Sequence, residues 1–386
     1  MTDVVIAGIG QTEVGEHWDL SLRELGFQAM EAALRDAGGL QPQVLFVGNM
    51  LAPQLSRQAH LGALLADFSG LVGIEAATVE SAGASGGAAL RMGYLSIASG
   101  QADIALVVGV EKFTDQVGSA VDAALASAGD SDFEAVHGLT LTAQAALLMA
   151  RYLRQYDVPR NAFAGFALIA HANGAGNPKA MYRKAISAEA YQRAGIVSEP
   201  LNLFDVAPNA DGAAAAILVR RDLLPVNYPH PLVRISGSSL VTDTLALHDR
   251  HDPLVFTAAR LSVERACSLA GLTPQDVDFF ELHDQFSIYA ALSLEAAGFA
   301  LPGEGWQLAQ NGRLSLGGSL PISTMGGLKA RGNPGGASGV YQAVEAVLQL
   351  RGQAGANQLA RPRRALVQSL GGAAASAVTH VLEVRD

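Results

Sequence analysis

The stretch Val79-Glu-Ser-Ala-Gly83-Ala-Ser-Gly-Gly-Ala-Ala-Leu90 decides how this chain folds. An apolar segment ends at Val79, a run of small residues follows, and apolar residues then recur at helical spacing over 90–97. This pattern predicts a tight turn from a strand into a helix, with backbone N–H groups free where the helix begins. We call the turn, residues 80–84, the elbow. Such a turn usually carries a Cys or Ser nucleophile at its tip, and here the tip is Gly83.

Composition indicates a large folded protein. The chain has 386 residues, of which 49% are hydrophobic and 16% charged, and it contains 42 Gly. These values favour a compact α/β protein rich in glycine turns and exclude a disordered chain. The formal net charge of -10 makes nucleic acid an unfavourable partner. The single cysteine, Cys267, excludes disulfides and thiolate metal clusters within one chain, and its helical context predicts core packing.

The N-terminal apolar run is short, interrupted by glycine and not preceded by basic residues, which predicts a first strand and no signal peptide. No uninterrupted apolar run approaches the length of a membrane span, so we expect no span and a cytoplasmic location. His248 and His251, with Asp249 and Asp252, come near metal-ligand spacing. A solvated loop is the favoured interpretation, and we predict no metal.

Strands and helices alternate along the first part of the chain. Strands are predicted at 4–9, 44–48, 76–79 and 104–110, and helices at 20–37, 61–68 and 84–99. Alternation of this kind favours a mainly parallel, layered sheet. From about 115 to 200 only helical patterns occur, at 141–156, 162–175 and 188–194, which predicts a helical insertion over one end of the sheet.

The second part repeats the first in outline. After a strand at 213–220, we predict strands at 232–236, 277–282, 365–369 and 377–384, with helices at 258–270, 287–297 and 337–350. We therefore expect two halves, 1–225 and 226–386, whose loops form one site at their junction. The four loops expected to meet there are the elbow and the segments 283–286, 332–339 and 369–372.

These loops resemble those of the thiolase superfamily, most closely its sterol-carrier-type and archaeal-type branches. The Cys-x-Ser loop of the family aligns with Gly83-Ala84-Ser85, and its Asn-Glu-Ala-Phe loop, often His-Asp-Cys-Phe, aligns with 283–286. Its Gly-His-Pro loop aligns with 332–334 and its Cys-x-Gly loop with 369–371. The resemblance covers essentially the whole chain. It implies an α/β thiolase fold: two similar βα halves in five layers, α-β-α-β-α, with a helical loop insertion.

The resemblance also implies partners. Family members act on acyl-CoA, so a coenzyme A thioester is the expected substrate or ligand, with no tightly bound cofactor. They generally form a homodimer or a dimer of dimers through the sheet edge near the nucleophile loop. Some act with a small zinc-containing OB-fold subunit.

Three parts of the family's catalytic set are changed in this chain. Gly83 replaces the nucleophilic thiol, and Asn333 replaces the activating His. The second Cys is missing from both of its usual places, which hold Gln285 and Ser369. A thiolase mechanism through an acyl-cysteine is therefore not expected. One engineered substitution would have altered Gly83 alone, so the combined changes favour a natural departure from the family pattern.

Several groups at the site remain able to act. The backbone N–H groups of Gly83 and Gly371 can form an oxyanion hole, because that role needs no side chain. Asn333 can donate a hydrogen bond from its amide, and His283 is the one evident acid–base group at the centre. Such a site could stabilise an enolate of a coenzyme A thioester.

Three hypotheses about function stay open. The first is an acyl-CoA-binding enzyme that forms or cleaves C–C bonds without an acyl-cysteine, and retro-aldol chemistry is one version of it. The second is a non-catalytic subunit or scaffold that works with an OB-fold partner. The third is an ordinary thiolase. Predicted ligand contacts are Ser85, Gly326, Gly327 and Tyr341, with turn bonding favoured for Ser85 and core packing for Tyr341. Turn bonding is also favoured for Ser369.

Overall fold

The structure, a computed structural model, describes residues 3–385 of the chain. The strands are β1 Val4–Gln11, β2 Val44–Gly48, β3 Glu75–Val79, β4 Ile104–Glu111, β5 Ile196–Ser198, β6 Leu201–Asn202, β7 Gly212–Arg220, β8 Leu232–Thr242, β9 Phe279–Glu281, β10 Arg364–Gly371 and β11 Ser376–Arg385. The helices are α1 Leu22–Asp36, α2 Ala52–Leu55, α3 Leu61–Phe68, α4 Ser85–Ala98, α5 Ser119–Ala126, α6 Leu141–Gln155, α7 Ala164–Ala175, α8 Ala188–Arg193, α9 Thr257–Ala270, α10 Ser287–Ala296 and α11 Ser338–Arg351.

Nine strands form one continuous sheet in the order β3-β2-β4-β7-β1-β8-β11-β10-β9. The two halves join where β1 pairs with β8 through Val5–Arg234 and Ile6–Val233. The predicted mainly parallel arrangement is wrong. Only β2 with β3, β2 with β4, and β9 with β10 run parallel, and the other neighbours are antiparallel. Alternation in sequence did not reveal this, because the chain reaches β7 through the insertion and β11 through a four-residue turn, and both connections permit antiparallel pairing.

Helices cover the sheet in layers that confirm the predicted thiolase fold. α1 and α3 pack outside the first half, and α9 packs outside the second. α4 and α11 lie between the two halves and share one hydrophobic cluster with strands of both. These central helices need glycine where they touch: a Cβ atom on Gly339 would lie 2.3 Å from the backbone nitrogen of Gly87.

The insertion contains α5 to α8, but the expectation that it holds no strand is wrong at its end. β5 and β6 form a separate two-stranded sheet. Strands of three and two residues are too short to show an alternating pattern, so the sequence gives little sign of them. Cys267 is buried in the core as predicted, and burial raises the pKa of its thiol to about 11. Within residues 3–385, no helix is both long enough and apolar enough to cross a membrane.

Candidate active site

The elbow follows β3 and leads directly into α4. Ala82 adopts a left-handed backbone conformation (φ 48°), which is unusual for a residue with a side chain. The Ser85 hydroxyl holds this turn closed: it donates to the carbonyl of Ala82 (2.6 Å) and accepts from the Ser81 N–H (2.9 Å). The first hydrogen bond of the turn runs from the Ala84 N–H to the carbonyl of Ser81, which leaves the Gly83 N–H ahead of the helical bonding. The elbow thus offers a backbone donor at position 83.

Gly83 faces His283 across the site. A Cβ atom on Gly83 would lie 3.3 Å from Cε1 and 3.5 Å from Nε2 of His283, and 2.7 Å from the carbonyl oxygen of Leu370. The imidazole and this carbonyl therefore border the space that a side chain at position 83 would occupy. The structure brings together the elbow, the 283–286 loop and the end of β10.

His283 is buried, and neither ring nitrogen has a hydrogen-bond partner among residues 3–385. Burial, with a smaller effect of the Arg331 guanidinium, lowers the pKa of its imidazole to about 4, while the Gln285 side chain opposes this shift. The ring is therefore neutral at pH 7, with one nitrogen able to accept a proton.

Asn333 lies on the loop 332–339, and its backbone bonds to the segment 208–210. Its N–H donates to the carbonyl of Pro208 (2.9 Å), and its carbonyl accepts from the N–H of Ala210 (3.1 Å). The Ser338 hydroxyl donates to Asn333 Oδ1 (3.0 Å). This contact orients the amide and leaves Nδ2 as the group able to donate to a ligand.

The two positions of the missing second cysteine differ in their surroundings. The carbonyl of Gln285 accepts from the Ala207 N–H (2.8 Å), which ties the 283–286 loop to the segment beside Asn333. Ser369 instead directs its hydroxyl at the central helices, where Oγ would be 2.3 Å from a Cβ atom on Gly87. The Ser369 hydroxyl thus packs against the central helices, and the turn bonding favoured from the sequence stays a prediction.

Gly371 approaches the elbow closely. A Cβ atom there would lie 2.5 Å from the carbonyl oxygen of Ser81 and 2.3 Å from Ser376 Oγ. The hydroxyls of Ser81 and Ser376 are themselves 2.8 Å apart. The predicted oxyanion partner of Gly83 therefore packs against the turn that carries Gly83, and only glycine fits at position 371.

The other predicted ligand contacts have partners within the protein. Tyr341 is buried, its hydroxyl lies 3.0 Å from Thr12 Oγ1, and Arg331 stacks on its ring at 4.9 Å. At Gly327 a Cβ atom would lie 2.4 Å from the Asp284 carboxylate, and Gly326 has a φ of 106°. Gly327 thus packs against the 283–286 loop, and a role in binding ligand stays a prediction for Tyr341, Gly326, Gly327 and Ser85.

Glu111 has no role predicted from the sequence, yet it joins the segment 49–51 to the loop 332–339. Its carboxylate accepts from the Asn49 amide (2.9 Å) and from the backbone N–H groups of Met50 (2.9 Å), Leu51 (3.1 Å) and Gly336 (3.0 Å). Burial raises the pKa of Glu111 to about 7 against the effect of these four donors. The loop 332–339 is thereby fixed to the end of β4 through Gly336. No local pattern marks such a residue, because its burial is a tertiary property.

A pocket of about 380 Å³ adjoins the site from the side of the insertion. Val206, Ala207 and Pro208 line it, and the same segment pairs with Phe286, Gln285 and Asn333. The rest of its wall is largely apolar, with three polar residues: His171, Lys184 and Lys329. Lys329 is buried, donates to the carbonyl of Asp205 (2.7 Å), and has its pKa lowered to about 8 by burial. No pattern in the sequence predicts this pocket. Residues 3–385 contain no cluster of three or more His, Cys, Asp or Glu side chains placed to hold a metal ion.

Comparison with known families and proteins gives consistent matches. Residues 4–222 match the family described as "Thiolase, N-terminal domain", and residues 239–384 match "Thiolase C-terminal domain-like". The chain is 39% identical to the acetyl-CoA acetyltransferase of Methanothermobacter thermautotrophicus, over 99% of both chains. It is 30% identical to the benzoylsuccinyl-CoA thiolase subunit BbsB of Thauera aromatica, over 96% of this chain and 94% of that one. The solved structure "Ltp2-ChsH2(DUF35) aldolase" superposes with a TM-score of 0.85 at 25% identity, covering 99% of this chain and 98% of that one.

Proposed function

Because this chain belongs to the thiolase superfamily, we propose that it binds a coenzyme A thioester and makes or breaks a C–C bond without an acyl-enzyme. One observation carries the proposal: the nucleophile position holds Gly83, and a neutral imidazole faces it at 3.3 Å from where a Cβ atom would lie. Position 83 keeps a backbone donor for the thioester oxygen but has no side-chain atom that could accept an acyl group.

In the proposed reaction, the thioester oxygen accepts hydrogen bonds from the N–H groups of Gly83 and Gly371. His283 removes a proton from the carbon next to the thioester carbonyl, and the electron pair of that C–H bond forms the enolate. The enolate then attacks a carbonyl carbon, and the resulting alkoxide takes the proton back from His283. Reversal of these steps cleaves the bond, and the donor at Asn333 Nδ2 is available to the second carbonyl.

The pocket of about 380 Å³ supports binding of the coenzyme A arm, because its wall at 206–208 adjoins both Gln285 and Asn333. Lys184 is exposed at this pocket and places a cation where it could meet phosphate groups.

Two measurements test the proposal. After incubation with acetyl-CoA the intact mass of the protein should be unchanged, and a stable acetyl adduct would contradict the mechanism. In D₂O the protein should exchange the protons next to the thioester carbonyl of bound acetyl-CoA. Replacement of His283 by Ala should abolish exchange and leave acetyl-CoA binding within about threefold, a difference under 1 kcal/mol. Ser369→Ala, which alters a hydroxyl packed on the helices, is the matched control and should keep exchange.

A second candidate is a subunit that works with an OB-fold partner, with or without its own chemistry. The names of two similar proteins favour it: one is a thiolase subunit, and the other pairs an aldolase component with a DUF35 component. Retro-aldol cleavage of a coenzyme A thioester is the version of the enzyme hypothesis that the similarity to this aldolase structure favours. Binding of thioester with no proton exchange in any condition, including after addition of a purified zinc-containing OB-fold protein, would favour the scaffold over the enzyme.

A further inference from the structure

The pocket of about 380 Å³ beside the site is lined by both exposed and buried side chains. Lys184 is exposed at its rim, and Val197 and Leu203 are half-exposed there. His171 and Lys329, by contrast, are only 5% and 2% exposed. The pocket wall therefore combines a rim open to solvent with a buried part that contains two polar side chains.

Lys329 is a buried cation without a counter-ion among residues 3–385. Its Nζ donates to the carbonyl oxygens of Phe204 (3.3 Å) and Asp205 (2.7 Å), and it forms no ion pair with a carboxylate of the described chain. Charged side chains are rarely buried unless they are paired, because burial without a partner is unfavourable. An apolar pocket bordered by such a cation is suited to a ligand that brings the missing negative charge.

Two carboxylates act on Lys329 through their charge, but both are bonded to other groups. The Asp205 carboxylate accepts from the Tyr191 hydroxyl (2.8 Å), and the Asp284 carboxylate accepts from the Leu328 N–H (2.7 Å). Neither is within ion-pair distance of the ammonium. The charge of Lys329 is thus only partly balanced within the described chain.

His171 is a second polar group on the same wall that lacks a partner. Its Nδ1 is buried and has no hydrogen-bond partner among residues 3–385. Its ring stacks on Tyr182, with centroids 5.9 Å apart, and lies edge-on to Phe204, at 5.5 Å. Because the carbonyl of Phe204 accepts from Lys329, one residue of the wall contacts both polar side chains. Burial and the charge of Lys329 lower the pKa of His171, so its ring is neutral at pH 7 and can donate one N–H.

These groups favour a carboxylate over a phosphate. A phosphate group carries more negative charge than one ammonium balances, and its three oxygens are usually held by several donors. A carboxylate carries a single negative charge, and an apolar wall both accepts its carbon chain and strengthens its attraction to the cation. The exposed Lys184 remains available to the phosphates of coenzyme A at the rim.

The segment 204–208 connects Lys329 to the site. Lys329 bonds to the carbonyl of Asp205, and two residues later the N–H of Ala207 donates to the carbonyl of Gln285 (2.8 Å). The intervening residue is extended, so these two contacts lie about 7 Å apart along the segment. A short carbon chain is therefore enough to link a carboxylate at Lys329 to a group held at the site.

Resting on the proposed function, we propose that Lys329 and His171 bind a carboxylate group of the substrate in the buried part of this pocket. The carboxylate belongs either to the far end of the acyl chain or to a separate carboxylic acid that supplies the second carbonyl. In both cases Lys329 and His171 select compounds that carry a carboxylate over compounds of the same length that end in a methyl group.

Titration calorimetry at pH 7 with two pairs of compounds tests the inference and distinguishes the two sources. Adipyl-CoA and hexanoyl-CoA differ in a carboxylate in place of the terminal methyl group, and so do 4-oxopentanoate and 2-pentanone. A carboxylate on the acyl chain predicts that adipyl-CoA binds roughly ten- to a hundredfold more tightly than hexanoyl-CoA, as expected for hydrogen bonds between charged groups. A separate acid predicts the same preference for 4-oxopentanoate and none between the thioesters.

Three variants assign the preference to residues. Lys329→Gln keeps an amide donor for the carbonyl oxygens but removes the charge, and it should reduce the preference to about threefold or less while leaving hexanoyl-CoA affinity nearly unchanged. His171→Phe keeps the ring packing and should reduce the preference by a smaller factor. Lys184→Gln is the matched control: it removes the exposed cation of the same pocket, so it should weaken both thioesters alike and keep the preference.

A second measurement needs no variant and stands if Lys329→Gln does not fold. Burial lowers the pKa of Lys329 to about 8, and a bound carboxylate should raise it again. At pH 8.5 the preferred carboxylate should therefore be bound with uptake of roughly half a proton more than its methyl analogue. Calorimetry in two buffers of different ionisation enthalpy measures this uptake, and equal uptake would contradict the inference.

The remaining outcomes separate this inference from the proposed function. Equal affinity within both pairs of compounds, or a preference that survives in Lys329→Gln, would overturn the inference while the proposed function stands. An equal loss of affinity for both thioesters in Lys329→Gln would place Lys329 on the coenzyme A arm and overturn it as well. A preference unchanged in His171→Phe would overturn the part assigned to His171. Failure of every thioester to bind would reject the proposed function, whereas a preference for 4-oxopentanoate that disappears in Lys329→Gln would still support the carboxylate site.

Discussion

The imidazole of His283 faces Gly83, and its Cε1 lies 3.3 Å from the position that a Cβ atom on Gly83 would occupy. The base therefore borders the same space that the missing nucleophile would occupy. A buried, unpartnered imidazole beside a backbone donor is suited to moving a proton on a bound ligand, and position 83 has no side-chain atom that the ligand could acylate.

Restoring the thiol should not restore a thiolase. In Gly83→Cys, the new Cβ atom would meet the carbonyl of Leu370 at 2.7 Å and the ring of His283 at 3.3 Å, and Asn333 cannot take a proton from the thiol. We expect no thiolytic cleavage of acetoacetyl-CoA, with stability lowered by about 1–3 kcal/mol through overpacking. Absorbance of the acetoacetyl-CoA enolate measures thiolysis, and thermal unfolding measures the loss of stability.

Gly83→Ala is the matched control for this variant, because it adds the same Cβ atom without a thiol. Similar unfolding temperatures for the two variants would assign the loss of stability to the Cβ atom. Thiolysis at ordinary thiolase rates, by the native protein or by Gly83→Cys, would contradict the proposed mechanism and reinstate the hypothesis of an ordinary thiolase.

The lowered pKa of His283 predicts a pH dependence of stability. In the unfolded chain the imidazole returns to its ordinary pKa of 6.5, against about 4 when folded. Between these values the unfolded state binds more protons. The contribution of neutral His283 is therefore fully present above pH 6.5 and is lost as the pH falls toward 4, by at most about 1.4 kcal/mol per pH unit. Chemical denaturation of the native protein and His283→Asn at pH 4.5, 5.5 and 7 measures this difference.

His380 serves as the control for this experiment, because burial also lowers the pKa of its imidazole to about 4 while it lies between α4 and the sheet. His380→Asn should flatten the pH profile in the same direction but leave proton exchange of acetyl-CoA intact. An unchanged slope in His283→Asn would show that its ring is solvated or paired in the native protein.

Local structure was predictable from the sequence where an uninterrupted apolar segment has clear ends. The bounds of β2 and α3 were predicted residue for residue, because glycine or polar residues end both segments. Strand direction was not predictable in the same way. β7 enters between β4 and β1 after the long segment that contains the insertion, and nothing in its own residues records which way it runs.

The site was predictable as a set of loops but not as a set of contacts. Resemblance placed Gly83 and His283 in one site, and the structure brings them together. It could not show that Ser369 faces the central helices, because a one-residue change of register reverses which side of a strand a side chain faces. Nor could it show Glu111, whose importance comes from burial and from donors on distant parts of the chain.

Glu111 should be needed as an acceptor on both oxygens. Oε1 accepts from Asn49 and Leu51, and Oε2 accepts from Met50 and Gly336. In Glu111→Gln one of these oxygens becomes an NH₂ group that faces N–H donors, so we expect a loss of about 2–4 kcal/mol. Urea denaturation measures it. Glu31→Gln, at an exposed ion pair with Arg35, is the control and should change stability by no more than about 1 kcal/mol. Equal stability of the two variants would show that Glu111 does not fix the loop 332–339.

The edge strand β3 should form a homodimer contact beside the elbow. β3 is the first strand of the large sheet and pairs only with β2 among residues 3–385, while Ala77 and Thr78 are exposed on it. An open edge next to the site is a template for pairing with the same edge of a second copy.

Light scattering should give twice the chain mass of 40.0 kDa. Ala77→Glu should give monomers, because a twofold axis places the new charges near each other. Val226→Glu, at a fully exposed position away from this edge, should leave the dimer intact. A monomeric native protein would contradict the predicted contact. A dimer that persists in Ala77→Glu would show that the contact lies elsewhere.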